Sequence, residues 1–147
     1  MVLVYKYKKI ENRPINEKTK TPLIPITIRG NISIDTTGIP DSGADVTAIP
    51  LGMAEAIGLD LSAKKEKCVG VGGWVDSIPS SMYIRLGNEH ENYTFLIPVK
   101  VILDKYEFPI LLGRQGFFNQ FVVSFDESEE KVTLKKKNKS PKLKHQL

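Results

Sequence analysis

A chain of 147 residues fits one domain and is long enough to bury a hydrophobic core. Its 41% apolar and 26% charged residues are usual for a soluble globular protein, and no run approaches the ~18 apolar residues of a membrane span. The net charge of +4 comes from residues 135–147, which hold six lysines and no acid, so the rest of the chain carries −2. We expect a basic, disordered tail over 135–147, with weak nucleic-acid binding through it as an alternative function.

The few cysteines and histidines limit the disulfides and metal sites that this chain can form. Cys68 is the single cysteine, so no internal disulfide can form, and the apolar run at the N-terminus is too short for a signal peptide. Both features predict a cytoplasmic protein. One cysteine and two histidines without ligand spacing argue against a zinc site, and we expect neither a metal nor an organic cofactor.

The first half of the chain predicts a hairpin followed by a helix. Isoleucines alternate with other residues over 24–28 and again over 32–34, with Arg-Gly-Asn between them as a hairpin turn. Residues 51–59 predict a short helix that follows Pro50 and is closed by Gly58.

The second half predicts mostly strands. Residues 65–79 indicate two strands around a glycine-rich turn, and further strands are predicted over 81–87, 92–103, 121–125 and 131–135. Residues 126–130 are the polar turn between the last two strands, and residues 114–121 predict one or two helical turns. Many short strands with little helix favour an all-β barrel or sandwich.

An aspartate in a tight turn is the main candidate for chemistry. Asp41 begins Asp-Ser-Gly, between an apolar strand and the run "ADVTAIP". Such a tripeptide alone also fits an ordinary surface turn, and "DTTG" over 35–38 shows how easily similar strings arise. Other chemistries fit less well: Ser42 lacks a positioned base, since His90 lies in the polar run "NEHEN". The glycines of "GVGGWV" are followed by strand residues rather than by a phosphate-binding helix.

Three elements in order resemble the retropepsin family of aspartic proteases. They are "PLIPITIRGNISIDTTGIPDSGADVT", "CVGVGGWV" and "ILLGRQGFF", and the resemblance covers roughly residues 22–135. It implies a closed-barrel-like fold, one lobe per chain with a short C-terminal helix, over 22–134, preceded by an N-terminal extension over 1–21. Pro40 departs from the family pattern, and its missing N–H predicts altered strand pairing beside the motif.

The resemblance also assigns roles to individual residues. Asp41 matches the catalytic aspartate, and Ser42 matches the residue whose hydroxyl links the two catalytic turns of a dimer. Gly43 lets the backbone approach the site, and Ala44 belongs to the same supporting motif. Asp45 and Arg114 match an ion pair that braces the loop, although an ordinary surface pair is the alternative. The substrate-binding flap corresponds to Gly70, Val71, Gly72, Gly73 and Trp74.

Trp74 has two possible positions. It packs against bound peptide or the flap base, or it is a strand residue in the barrel core.

The chemistry of the family requires two carboxylates, whereas this chain has one Asp-Ser-Gly. In peptide hydrolysis of this kind one carboxylate acts as base toward water and the other as acid toward the carbonyl oxygen. The second carboxylate must come from another copy, which predicts a C2 homodimer with one Asp41 from each chain. The function predicted is therefore an aspartic endopeptidase, with a retropepsin-fold protein that dimerises or binds peptides without cleaving them as the alternative.

Overall fold

The computed structural model describes residues 1–10, 19–70, 72–105 and 107–138. Within these ranges the chain is mostly β-structure with one short helix. The strands and the helix are β1 (Val2–Lys6), β2 (Ile24–Arg29), β3 (Ser33–Pro40), β4 (Thr47–Pro50), α1 (Leu51–Ile57), β5 (Glu66–Gly70), β6 (Gly73–Gly87), β7 (Asn92–Ile102), β8 (Ile110–Leu112), β9 (Phe121–Asp126) and β10 (Lys131–Lys136).

Six strands close into a barrel. The large sheet has the order β2-β3-β8-β4-β7-β6-β5. An additional pairing of β2 with β6 closes the first six of these strands into a ring. β5 lies outside this closed ring and pairs with β6, so β5 and the start of β6 form a projecting hairpin. A second, three-stranded sheet has the order β1-β10-β9. The all-β barrel predicted from the sequence is therefore confirmed.

The first hairpin and the helix form where the sequence predicts them. Ile24, Ile26 and Ile28 are buried at alternate positions of β2, as expected for a strand with one face on the core. α1 ends at Gly58, whose φ of +72° is left-handed and whose N–H donates to the Glu55 carbonyl. A glycine at this position ends a helix without steric strain.

Both chain ends pack onto the barrel. Leu3 and Tyr7 are buried in the same core cluster as the barrel residues, because β1 pairs with β10 over Val2–Lys6. Part of the predicted extension over 1–21 is thus built into the folded body. The predicted tail also starts later than expected, since Lys135 and Lys136 belong to β10. Its residues 139–147 lie outside the described residues.

The predicted C-terminal helix over 114–121 is wrong: residues 114–120 form turns. Arg114 and Gln115 donate their N–H groups to the carbonyls of Ala44 and Asp45, at 2.9 Å each. Gly116 then adopts a left-handed φ of +92°, which interrupts a helix. Phe117 in this segment is fully buried in the core.

Candidate active site

Asp41 directly follows the last residue of a barrel strand. β3 ends at Pro40, which pairs in parallel with Leu112 of β8. The Asp41 N–H donates to the Leu112 carbonyl at 2.8 Å, as the residue after a paired position does in a regular parallel ladder. The missing N–H of Pro40 therefore costs no bond to β8, and the altered pairing expected beside the motif is not found between β3 and β8. Asp41 begins its turn directly after this last pair.

The Asp-Ser-Gly turn holds the Asp41 carboxylate through backbone donors. Gly43 donates its N–H to Asp41 Oδ1 at 2.9 Å, and Ala44 donates to the Asp41 carbonyl at 3.1 Å. A Cβ at Gly43 would stand 3.1 Å from Asp41 Oδ1. A side chain at this position would therefore press on the carboxylate oxygen and shift it by a few tenths of an ångström unless Asp41 moved. Asp41 is partly exposed, so its carboxylate remains accessible.

The segment after β8 braces this turn from one side. Besides the two backbone bonds to Ala44 and Asp45, the Arg114 guanidinium donates from Nη1 to the Ser42 carbonyl at 2.8 Å. The three bonds fix the loop over consecutive residues 42–45, which is the preorganisation that a catalytic carboxylate needs.

The implied Asp45–Arg114 ion pair is not formed. Asp45 accepts the Val46 N–H at 2.9 Å, and its carboxylate lies 3.8 Å from the Lys100 ammonium. Arg114 therefore braces the loop through the Ser42 carbonyl, and its positive charge has no carboxylate partner among the described residues.

Sequence reasoning missed two buried residues beneath the turn, Thr47 and Gly113. The Gly113 N–H donates to Thr47 Oγ1 at 3.0 Å, in a fully buried contact between residues 66 positions apart. A Cβ at Gly113 would lie 2.4 Å from the Val46 carbonyl carbon and 2.7 Å from the Thr47 nitrogen. The threonine of "DSGADVT" was the available signal, but nothing local shows that its hydroxyl meets a glycine so distant in sequence.

The glycine-rich segment forms the predicted hairpin, which we call the flap hairpin (Glu66–Ser77). Gly70 pairs with Gly73, and Gly72 lies in the turn before Gly73. Gly73 has a φ of +114°, and a Cβ at Gly72 or Gly73 would meet no atom within 4 Å. The tip is therefore uncrowded. Val71, a predicted flap residue, lies outside the described residues.

An ion pair joins the two strands of the flap hairpin. Lys67 Nζ lies 2.9 Å from Asp76 Oδ1, and the two residues are cross-strand neighbours. The hydrogen bond from Lys67 and the positive charge of Lys67 hold the pKa of Asp76 below the ordinary value of 3.8. The pair therefore stays ionised in mildly acidic solution.

Trp74 is not in the barrel core. Its side chain is 69% exposed, and that of its cross-strand partner Val69 is 70% exposed. The residues of the opposite hairpin face, Cys68 and Val75, are partly buried, and Ser77 is fully buried. The interpretation of Trp74 as a core residue is wrong, whereas contact with a bound peptide stays a prediction.

The competing candidates are not assembled into sites. The His90 N–H donates to Asn88 Oδ1 in the exposed turn between β6 and β7. Asp35 of the "DTTG" string lies within β3 and accepts the Thr27 hydroxyl at 2.7 Å. In the described ranges no group of three or more His, Cys, Asp or Glu residues is placed to hold a metal ion. No helix among the described residues is long and apolar enough to cross a membrane.

The closed barrel brings together an Asp-Ser-Gly turn, a bracing segment after the end of β8 and a glycine-tipped hairpin. Two solved structures are similar to this chain in fold. One, a retropepsin-like aspartic protease from Rickettsia conorii, is 18% identical with a TM-score of 0.55, covering 91% of this chain and 91% of that chain. The other, the retroviral protease-like domain of Ddi1 from Leishmania major, is 16% identical with a TM-score of 0.50, covering 84% of this chain and 99% of that chain.

The chain therefore has the retropepsin fold, which confirms the resemblance drawn from three sequence elements. Comparison with protein-family models and with curated proteins gives no match. The likeness establishes the fold, and the activity has to be argued from the site.

Proposed function

We propose that this protein is an aspartic endopeptidase whose active site forms between two copies of the chain. The observation that carries the proposal is the position of Asp41, which starts a preorganised turn at a strand end of a retropepsin barrel. The turn is fixed by the Asp41 N–H, which donates to the Leu112 carbonyl, and by donors from Arg114 and Gly43, while the carboxylate remains accessible.

In this proposal the two Asp41 carboxylates share one proton and a water molecule. The ionised carboxylate takes a proton from the water, whose oxygen attacks the peptide carbonyl, and the protonated carboxyl donates to the carbonyl oxygen. The C–N bond then breaks as the leaving nitrogen takes up the proton that was removed from the water, and a hydroxyl of the tetrahedral intermediate returns its proton to the other carboxylate. Two carboxylates about 3 Å apart cannot both ionise, so the shared proton follows from their proximity.

The exposed hydroxyl of Ser42 supports the pairing of two such turns. Among the described residues this hydroxyl makes no hydrogen bond, while the Ser42 carbonyl is held by Arg114. We assign to it a bond across the twofold axis, as the family resemblance implies. Such a bond would fix the distance between the two Asp41 side chains.

The outer face of the β1–β10–β9 sheet also supports a dimer. Val2 and Val4 alternate with buried Leu3, and Val122 follows buried Phe121, so the valines lie on the face turned away from the core. Val4 is 56% exposed. The valines lie on the two outer strands of this sheet, β1 and β9, with Lys135 of β10 between Val2 and Val122. We assign this sheet to the contact between copies.

The substrate in this proposal is an extended peptide between the flap hairpin and the Asp41 turns. Strand-like backbone bonds would hold it, and the uncrowded glycines at the hairpin tip would allow the flap to open and close.

A peptidase assay with an Asp41→Asn variant tests the proposal. We expect wild-type protein to cleave unfolded protein substrates at acidic pH and to be inhibited by pepstatin, and Asp41→Asn to lose activity by at least about 100-fold. An amide cannot carry the shared proton, but it keeps the shape of the side chain, so the melting temperature should change little. Binding of peptides without pepstatin-sensitive cleavage would favour a peptide-binding protein of the same fold.

A further inference from the structure

The outer wall of the barrel carries a small polar cavity that includes none of the residues assigned to the active site. Its volume is about 290 Å³, and Ile84, fully buried, lies at its floor. We call it the arginine cavity, and its polar lining residues are Thr27, Arg29, Ser33, Tyr83, Arg85 and Thr94.

Strand register places all six polar side chains on one face. Arg29 pairs with Tyr83, and Arg85 lies between Thr27 on one neighbouring strand and Thr94 on the other. Ser33 pairs with Arg29 across the first hairpin. Because directly paired residues share a face of an antiparallel sheet, the cavity is a continuous patch over four strands.

The cavity contains more donors than the chain itself satisfies. Arg29 lies over the Tyr83 ring, with its guanidinium carbon 4.2 Å from the ring centroid, which orients it by a cation–π contact. Within the described residues, neither Arg29 nor Arg85 forms an ion pair. Asp35, the acid on the same face beside Thr27, accepts the Thr27 hydroxyl instead. Two guanidinium forks therefore face solvent next to several hydroxyl groups.

We propose that the arginine cavity binds the phosphate group of a phosphorylated side chain in a peptide. A phosphate monoester has three acceptor oxygens and nearly two negative charges, which suits two guanidinium groups flanked by hydroxyls better than a carboxylate does. Recognition of phosphorylated peptides by paired arginines is a general mode.

The residues around the arginine cavity suit a phosphorylated peptide better than a nucleic acid. A nucleic-acid backbone presents a phosphate at every nucleotide and needs a continuous track of positive charge. This cavity is a single site with Asp35 at its border, and one face of Tyr83 is already covered by Arg29.

Calorimetric titration of the full chain tests the assignment. The probes are the peptide Ala-Ala-phosphoserine-Ala-Ala with blocked ends, the same peptide with serine or glutamate at the centre, and inorganic phosphate. We expect saturable binding of the phosphopeptide, about tenfold or more tighter than the glutamate peptide. Binding should weaken as salt is added.

Single variants locate the site. Arg29→Gln and Arg85→Gln should each weaken phosphopeptide binding about fivefold or more, because each removes a charged hydrogen-bond donor. Arg85→Lys keeps the positive charge but loses the planar guanidinium group. Its affinity for the phosphopeptide should therefore lie between those of the wild type and Arg85→Gln. Lys64→Gln removes one exposed positive charge outside the cavity and should leave the affinity unchanged. Both arginines are exposed, so the variants should melt at the wild-type temperature.

Three results would overturn the proposal. They are equal affinities for the phosphoserine and serine peptides, equal losses in Lys64→Gln and the arginine variants, and binding of inorganic phosphate as tight as the phosphopeptide. A single-stranded oligonucleotide that competes at the same arginines more tightly than the phosphopeptide would also overturn it. The site does not depend on proteolysis, so Asp41→Asn protein should bind the phosphopeptide normally.

Discussion

Gly113 shows how one missing side chain sets the geometry beneath Asp41. A Cβ there would lie 2.4 Å from the carbonyl carbon of Val46, which is backbone and cannot rotate away. We predict that Gly113→Ala lowers the free energy of unfolding by about 3 kcal/mol, as overpacking does. Chemical denaturation measures the change.

Gly52 offers a matched control for this substitution. It lies in α1, and a Cβ there would meet no atom within 4 Å. Gly52→Ala should be neutral or stabilising by about 0.5–1 kcal/mol, because alanine favours a helix. Equal stability of the two variants would show that the close approach at Gly113 does not matter.

At the residue level the sequence identified what is encoded locally. The turn at Asp41 was predicted correctly because Asp, Ser and Gly are consecutive residues with turn-forming chemistry. The Thr47–Gly113 bond was missed and the Asp45–Arg114 pair was wrong, because both concern contacts across more than 60 residues. In such contacts several polar partners compete, and here Lys100 and the Ser42 carbonyl replaced the implied partners.

Among the elements, the flap hairpin depends on Gly73 for its backbone conformation. With a φ of +114°, an L side chain at Gly73 is strained by about 1–3 kcal/mol, although space is available for it. We predict that Gly73→Ala accelerates amide hydrogen exchange in β5 and the start of β6. Gly70→Ala, whose Cβ would make only an ordinary contact at 3.8 Å and whose φ is not positive, should exchange like wild type. Identical exchange in both variants would contradict this account of the tip.

The Lys67–Asp76 pair gives the flap hairpin a defined pH dependence. The pKa of Asp76 is lowered in the folded chain, so its stabilising contribution is complete above 3.8 and is lost as pH falls through the folded value. After correction for intrinsic rates, hydrogen-exchange protection of the hairpin should be constant from about pH 7 to 5 and should fall below pH 3.8. Asp76→Asn should not show this fall in protection. An equal fall in that variant would mean that another group causes it.

Elements with local signals were predicted well, and elements decided by distant partners were not. The β2–β3 hairpin and α1 carry their alternation and capping glycine within a few residues. The residues over 114–121 suited a helical turn, but Gly116 adopts a left-handed φ of +92° where it packs closely against Ile97 of β7. Likewise, β1 was assigned to an extension because its partner β10 lies at the other end of the chain.

For the whole molecule, the central claim is that each chain supplies half of an active site. A dimeric site makes specific activity depend on protein concentration, so activity should fall on dilution below the dimer dissociation constant. A shared proton titrates as a property of the pair, so the pH–rate profile should be bell-shaped with an acidic optimum, roughly pH 3 to 6.

Mixing wild-type protein with Asp41→Asn tests this claim most directly. At fixed wild-type concentration, added variant should draw wild-type chains into heterodimers that contain one carboxylate and cannot share a proton. We predict that activity falls toward one half at equimolar mixing after exchange of subunits, and toward zero with excess variant. Wild-type activity that is unchanged by excess Asp41→Asn, together with constant specific activity on dilution, would contradict the shared site and show that one chain acts alone.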